Sequence, residues 1–443
     1  MPEVAIAAPA TIEAFGYRNI NVSAAGRRMQ ANLDNPRPAP PLALIAMATG
    51  IGFCALHMIV PALPVLARVF DSAAAQVQLV LTLYFLGIAG GQLIYGPVSD
   101  RFGRRPVLIA GLGLFLCGTV LCGAASSLPM LIAGRVAQAL GACAGIVLGR
   151  AIIRDVYGRD ASARGIAIVM MAMTLGSAVS PAIGAWVTEW FGWRAIFVLL
   201  TVAGAAVLGW TVTRLAETRA EPLPLNPAEI ARAYALLLRS RVFMCFALCT
   251  AFTSASWFTF IASAPYLLSD LLHEPPTTYG LLILLPMGGY IVGNGAAVRL
   301  ARRMGAGAMI IAGVALSLAS GIVMAAWCAY PGLSALALFL PLTVSAVGNG
   351  LSQPSALAGG LSVYPRIAGT ASGFVGFLQM AVSSLGTLAV GLLPRGGPFA
   401  MIAVVVGTQV LALALGAVAV RLPISLGGPG ASMPVEAASG RPA

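Results

Sequence analysis

Lysine is missing from this chain altogether, and acidic residues are scarce. All 26 basic side chains are arginine, set against 14 Asp and Glu in 443 residues. Only 9% of the residues are charged, where soluble domains carry about 25%. Such a chain cannot cover a water-facing surface. The seven cysteines fall inside apolar runs and form no CxxC, so neither a metal site nor a disulfide is expected. No His, Asp or Cys cluster has ligand or nucleophile spacing, and no phosphate-binding loop is present, so nothing supports an enzyme or a cofactor. The rings of repeated polar residues that a channel needs are also missing. The net charge of +12 does not point to nucleic acid, because the arginines sit between hydrophobic runs rather than on one soluble face.

What the chain has in abundance is apolar length. Hydrophobic residues make up 59% of it, and the mean hydropathy is +0.91. A membrane span needs about 20 apolar residues. The pattern predicts twelve: 42–64, 77–98, 106–125, 128–150, 166–188, 194–213, 242–266, 280–299, 306–328, 333–357, 368–393 and 398–420. The gaps after even-numbered spans hold most of the arginines, among them Arg101, Arg104, Arg105, Arg150, Arg154, Arg239 and Arg303. The alternate gaps hold only Arg68, Arg194 and Arg395. That imbalance predicts cytoplasmic termini, and an even number of spans agrees. The expected layout is a tail (1–41), a six-helix half (42–213), a linker (214–241), a second half (242–420) and a tail (421–443). The first 40 residues lack the basic start and apolar core of a signal peptide. In the linker, Asn226, Pro227 and Glu229 read as a helix start, followed by an apolar face of Ile230, Tyr234, Leu237 and Leu238. A short amphipathic helix on the inner membrane surface is expected there. Basic, Gly-containing turns recur after spans two and eight, at Arg101–Gly103–Arg105 and Arg302–Arg303–Gly305, as a weak internal repeat of the two halves.

The ordered stretch Gly96-Pro97-Val98-Ser99-Asp100-Arg101-Phe102-Gly103-Arg104-Arg105 resembles the signature loop of the major facilitator superfamily. The resemblance implies an all-α integral membrane fold of twelve helices in two pseudo-symmetric halves. It also implies that Gly96, Asp100, Arg101, Gly103, Arg104 and Arg105 form a conformational latch favouring the outward-open state. Arg135 to Ala142 in span four is similar to the family's second motif, with its intramembrane Arg. Such a cation should face a wet cavity or a partner. Gly141, Gly145 and Gly149 follow at intervals of four, a face suited to close helix packing. Gly176 to Ala185 resembles the motif of drug antiporters, with a kink at Gly176, Pro181 and Gly184; Ser180 and Ala185 stand where that pattern has Gly. Arg150-Ala151-Ile152-Ile153-Arg154-Asp155, Gly192-Trp193-Arg194 and Val60-Pro61-Ala62-Leu63-Pro64 look like the bicyclomycin and chloramphenicol resistance (Bcr/CflA type) exporters. That group implies proton-coupled efflux of small amphipathic drugs from a bacterial inner membrane, by a monomer whose partners are substrate, protons and lipid. The alternative is uptake or facilitated diffusion of a small metabolite or organic anion, with Arg135 binding a carboxylate.

One departure bears on mechanism. The exporters it resembles carry an acid in span one, four residues before the proline, where this chain has His57. No Asp or Glu lies in the middle of any span. His57 sits about 22 Å along its helix from residue 42, at a height similar to Arg135. An imidazole, with an ordinary pKa of about 6.5, suits proton exchange. Three roles stay open for it: proton carrier, substrate hydrogen-bond group with coupling through Asp100 or Asp155, or satisfied core histidine. Arg135 joins them as a coupling candidate. For substrate contact the favoured residues are His57, Tyr84, Gln138 and Trp257; Phe260, Tyr290, Asn294, Gln353 and Gln379 are further intramembrane aromatic or amide candidates.

Overall fold

Hydropathy stops before the helices do. The computed structural model describes residues 41–218, 227–330, 333–393 and 397–422, apart from the side chains of 157–164, 167, 301–302 and 366. Both expected tails, save a residue or two, and the Asn226 cap lie outside the described residues. Within them, twelve helices are long and apolar enough to cross a membrane. The first half has Leu42–Val69, Ala74–Phe102, Arg104–Gly123, Leu128–Val156, Ile168–Phe191 and Trp193–Arg214. The second has Arg241–Leu271, Pro276–Leu300, Arg303–Ala329, Ala335–Val363, Ala368–Leu392 and Phe399–Arg421. Most run past the predicted ends, because polar and proline-containing turns at the membrane edge stay helical although their hydropathy falls.

The face carrying Gly103, Arg104 and Arg150 is called the basic face below, and the other the opposite face. Sharp reversals are made by glycines that no other residue could replace without strain. Gly103, after span two, has φ 96° and ψ 154°, and Gly305, after span eight, has φ 76° and ψ 157°. The two turns of the weak repeat therefore share one backbone conformation, which is almost confined to glycine.

Within the first half, small residues let helices touch. A methyl group on Gly141 would run into Phe115 and Gly111 of span three, and one on Gly145 or Gly149 would meet Ala48 or Thr49 of span one. The glycine stripe of span four thus divides between two neighbours. Buried hydroxyls are mostly satisfied by their own helix, as in Thr49 to the Ile45 carbonyl (2.6 Å) and Thr119 to that of Phe115 (2.6 Å).

The halves meet along spans two and eleven, and spans five and eight. Thr82 and Thr387 share a buried hydroxyl contact at 3.0 Å, and Ser384 donates to the Thr82 carbonyl at 3.1 Å. Ala182 and Ala185 of span five approach Gly280 of span eight so closely that a side chain there would overlap them, with the Pro181 carbonyl alongside. The linker helix, Pro227–Arg239, buries Leu237 and lays Tyr234 on Phe374 of span eleven, 5.7 Å between ring centres. The Tyr234 hydroxyl also reaches the Leu93 carbonyl of span two at 3.2 Å. Leu238 is exposed. It lies about 70° round the helix from the centre of the Ile230–Tyr234–Leu237 arc, too far to share the burial.

Candidate functional site

A cavity of about 280 Å³ opens at mid-helix depth between the two halves. Six spans supply its wall. Span one contributes Phe53 and His57, one helical turn apart; span five gives Met170, Met173 and Ser177; span seven gives Trp257 and Phe258. Met287 and Tyr290 come from span eight, Gln353 from span ten, and Gln379 and Met380 from span eleven. The wall is mainly apolar, with amides and hydroxyls spaced around it. Ligand pockets share this character and measure roughly 300–1,000 Å³. Four methionines add thioether side chains that repack around irregular shapes.

On spans five and eleven the residues that seal the halves lie beyond the cavity toward the opposite face. Span five lines the cavity with 170–177 and meets Gly280 at 181–185. Span eleven lines it with Gln379 and Met380 and bonds span two at Ser384 and Thr387. A packed belt therefore separates the cavity from the opposite face.

His57 is held in one orientation. Its Nδ1 lies 2.8 Å from the Phe53 carbonyl. A carbonyl only accepts, so Nδ1 carries the hydrogen and Nε2 is left with the lone pair in the neutral ring. The ring also faces Phe258 at 6.3 Å. His57 is the one cavity side chain whose ordinary titration falls near neutral pH.

Trp257 lines the cavity with His57; Tyr84 and Gln138 do not. Both are enclosed within the first half, around Arg135, which is 0% exposed. Arg135 Nη1 donates to the Ala55 carbonyl at 3.1 Å and to Gln138 Oε1 at 2.5 Å. Gln138 passes the chain on to Thr119 Oγ1 at 2.8 Å. The guanidinium lies over the Tyr84 ring at 3.9 Å, and the Tyr84 hydroxyl donates to the Gly52 carbonyl at 2.7 Å. Arg135 thus has a partner rather than a wet cavity: the backbone of span one, two residues from His57. Among the other candidates, Tyr290, Gln353 and Gln379 line the cavity, while Phe260 is buried in packing and Asn294 bonds the Tyr290 carbonyl.

At the basic face, Arg104 is buried and gathers Asp100 (2.7 Å), Asp155 (3.1 Å) and Ser99. Arg105 bonds the Val212 carbonyl at 2.9 Å, and Arg101 lies over Phe102 at 5.5 Å. These contacts tie spans two, three, four and six within the first half. Glu217, which the sequence reading missed, completes the group. Its two carboxylate oxygens accept from the backbone N–H of Arg104 (2.9 Å) and Arg105 (3.1 Å), capping span three. It also fills the space beside Gly103, where a side chain would overlap it. The signal was available in principle, as an acid shortly after a span facing a helix N-terminus, but 113 residues separate the partners. Across the halves, Arg150 Nη1 reaches Ser372 Oγ at 3.2 Å.

The antiporter-like stretch forms a three-helix junction. Gly184 abuts the Met58 backbone of span one, Gly176 faces Cys54, and the Pro181 carbonyl approaches Gly280 of span eight. Ala185, where the pattern has Gly, is accommodated because span eight supplies the missing space with Gly280.

Two six-helix halves around a central cavity, sealed toward the opposite face and lined mainly by apolar side chains with a few intramembrane polar groups, define a secondary transporter. The pattern of the Major Facilitator Superfamily matches residues 45–387, and the chain belongs to that superfamily. Multidrug resistance protein D of Escherichia coli (strain K12) is 28% identical over 356 residues, 80% of this chain and 89% of that protein. The chloramphenicol resistance protein of Pseudomonas aeruginosa is 29% identical over 81% of this chain and 86% of its own length. A bicyclomycin resistance protein homolog of Haemophilus influenzae is 25% identical over 78% and 86%. Among solved structures, an inward-facing bacterial homolog of the human lysosomal transporter Spinster superposes with a TM-score of 0.67 at 18% identity, covering 86% of this chain and 96% of the other. A D-xylose–proton symporter gives 0.67 at 16% identity, covering 85% and 95%. These two likenesses show the fold.

Proposed function

We propose that this transporter exports small amphipathic compounds in exchange for protons, by alternating access to the central cavity. One observation carries the reading. The cavity is apolar and methionine-rich, and His57 is its one imidazole, oriented by the Phe53 carbonyl so that Nε2 is the nitrogen able to take a proton. The drug-resistance names of the relatives support export over uptake. The basic face is the cytoplasmic face of an inner membrane, by its excess of arginine, so both chain ends are cytoplasmic and the conformation described is the inward-facing stage. In the outward-open stage the belt at Gly280 and Thr82 parts and the halves close at the basic face, where Arg150 reaches Ser372, while the Asp100–Arg104–Asp155 cluster keeps the first half rigid.

The test is dye retention and drug tolerance in an efflux-deficient bacterium expressing the chain, with and without a proton uncoupler. Expression should lower dye content, and the uncoupler should restore it. Higher dye content on expression would sink export; efflux that ignores the uncoupler would sink proton coupling.

A further inference from the structure

We propose that the cavity discriminates by charge: it accepts neutral and singly anionic amphipathic molecules and rejects lipophilic cations. The proposal rests on the export reading and narrows its substrate class.

The charge balance of the membrane interior is one-sided. No Asp or Glu occurs between Glu274 and Glu436, so spans eight to twelve contain no carboxylate at all. In the first seven spans the acids stand only at helix ends, at Asp100, Asp155, Glu189 and Asp270. Two arginines sit further in. Arg135 is enclosed, and both of its hydrogen-bond partners, the Ala55 carbonyl and Gln138, are neutral. Its Nε and Nη2 meet no acceptor among the described residues. Ala55 lies between Phe53 and His57, both on the cavity wall, so this cation stands directly behind the wall. Arg150 reaches across the halves to Ser372, about two turns along span eleven from Gln379, on the basic-face side of the cavity. Among the described residues the ion pairs are those of Arg104, and neither Arg135 nor Arg150 has a carboxylate partner.

The cavity wall offers nothing to offset these charges. Its polar groups are amides, hydroxyls and the His57 imidazole. In a medium of effective dielectric about 20, a fixed cation about 10 Å away changes the binding of a unit charge by roughly tenfold, favourably for an anion and unfavourably for a cation. Methionine, Trp257 and Phe258 supply the apolar contact that a neutral ligand needs, without regard to its charge.

Tetraphenylborate and tetraphenylphosphonium, hydrophobic ions of matched size and opposite charge, make the test. Each is titrated calorimetrically into the purified full-length chain in detergent, with partition into empty detergent subtracted. Tetraphenylborate should bind at least about tenfold more tightly. A carboxylate added to the wall, by Gln353→Glu or separately by His57→Asp, should reduce or invert that ratio by a similar factor. Equal or tighter binding of tetraphenylphosphonium to the unmodified chain overturns the proposal, as does saturable binding of neither ion. So does a ratio that stays unchanged in a variant that elutes as a folded, monodisperse species. The measurement involves no proton gradient and no transport direction, so failure of the export reading shows only in the dye assay.

Discussion

His57 and Glu217 show how much one side chain settles in a chain with so few ionisable groups. The Phe53 carbonyl fixes the His57 tautomer, which makes Nε2 the site that takes or gives a proton. His57→Asn places an amide donor near Nδ1 and removes the group at Nε2. This variant should abolish uncoupler-sensitive efflux while retaining substrate binding. Full proton-driven transport by it would remove His57 as the carrier and return that role to Asp100 or Asp155. Glu217 acts on stability instead. Replacing it by Ala leaves the N–H groups of Arg104 and Arg105 without their acceptor, an expected loss of about 1 kcal/mol. A melting curve of the purified protein checks this, and an unchanged midpoint would show that water caps the helix equally well.

Among the elements, spans five and eight carry the closure. Pro181 removes a backbone donor from span five where it meets Gly280. The contact needs a small residue on both sides, Ala182 and Ala185 against Gly280. Gly280→Val should push the two spans apart and hold the opposite face open. Cysteines placed at Ala67 or Ala73, which line a second cavity of about 470 Å³ near that face, should then react faster with a membrane-impermeant maleimide, and export should fail. Unaltered labelling would mean that the belt closes elsewhere. Gly103 and Gly305 act differently. They reverse the chain in a conformation that side chains avoid, so their role is to start the next helix rather than to let two helices touch.

For the molecule as a whole, few polar contacts join the two halves among the described residues, which suits parts that must separate and rejoin. The hydroxyl pair of Thr82 and Thr387 lies in the belt toward the opposite face, and the single bond from Arg150 to Ser372 lies toward the basic face. Thr82→Val and Thr387→Val, alone and together, form a double-mutant cycle. Its coupling should be about 0.5–1.5 kcal/mol in favour of the inward-facing state. Spin-label distances across the opposite face can report that population shift. Strict additivity would mean that the contact is geometrical only.

The sequence by itself determined the fold class, because so little charge and so much apolar length permit only a bundle of spans. It determined the span number, since length and the alternation of arginines count the same object twice. It also marked the residues around which function is argued: His57 by departing from a pattern, Arg135 by its cost inside a membrane, and Trp257 and Gln379 as polar handles on apolar helices. What it left open was which of them share a space. Tyr84, Gln138 and Trp257 look alike on single helices, and only packing put the first two around Arg135 and the third beside His57. Helical periodicity gives the face a residue occupies, but the neighbour on that face comes from another part of the chain. For the same reason the Glu217 cap, the Gly280 junction and the methionine wall became visible only in the tertiary structure.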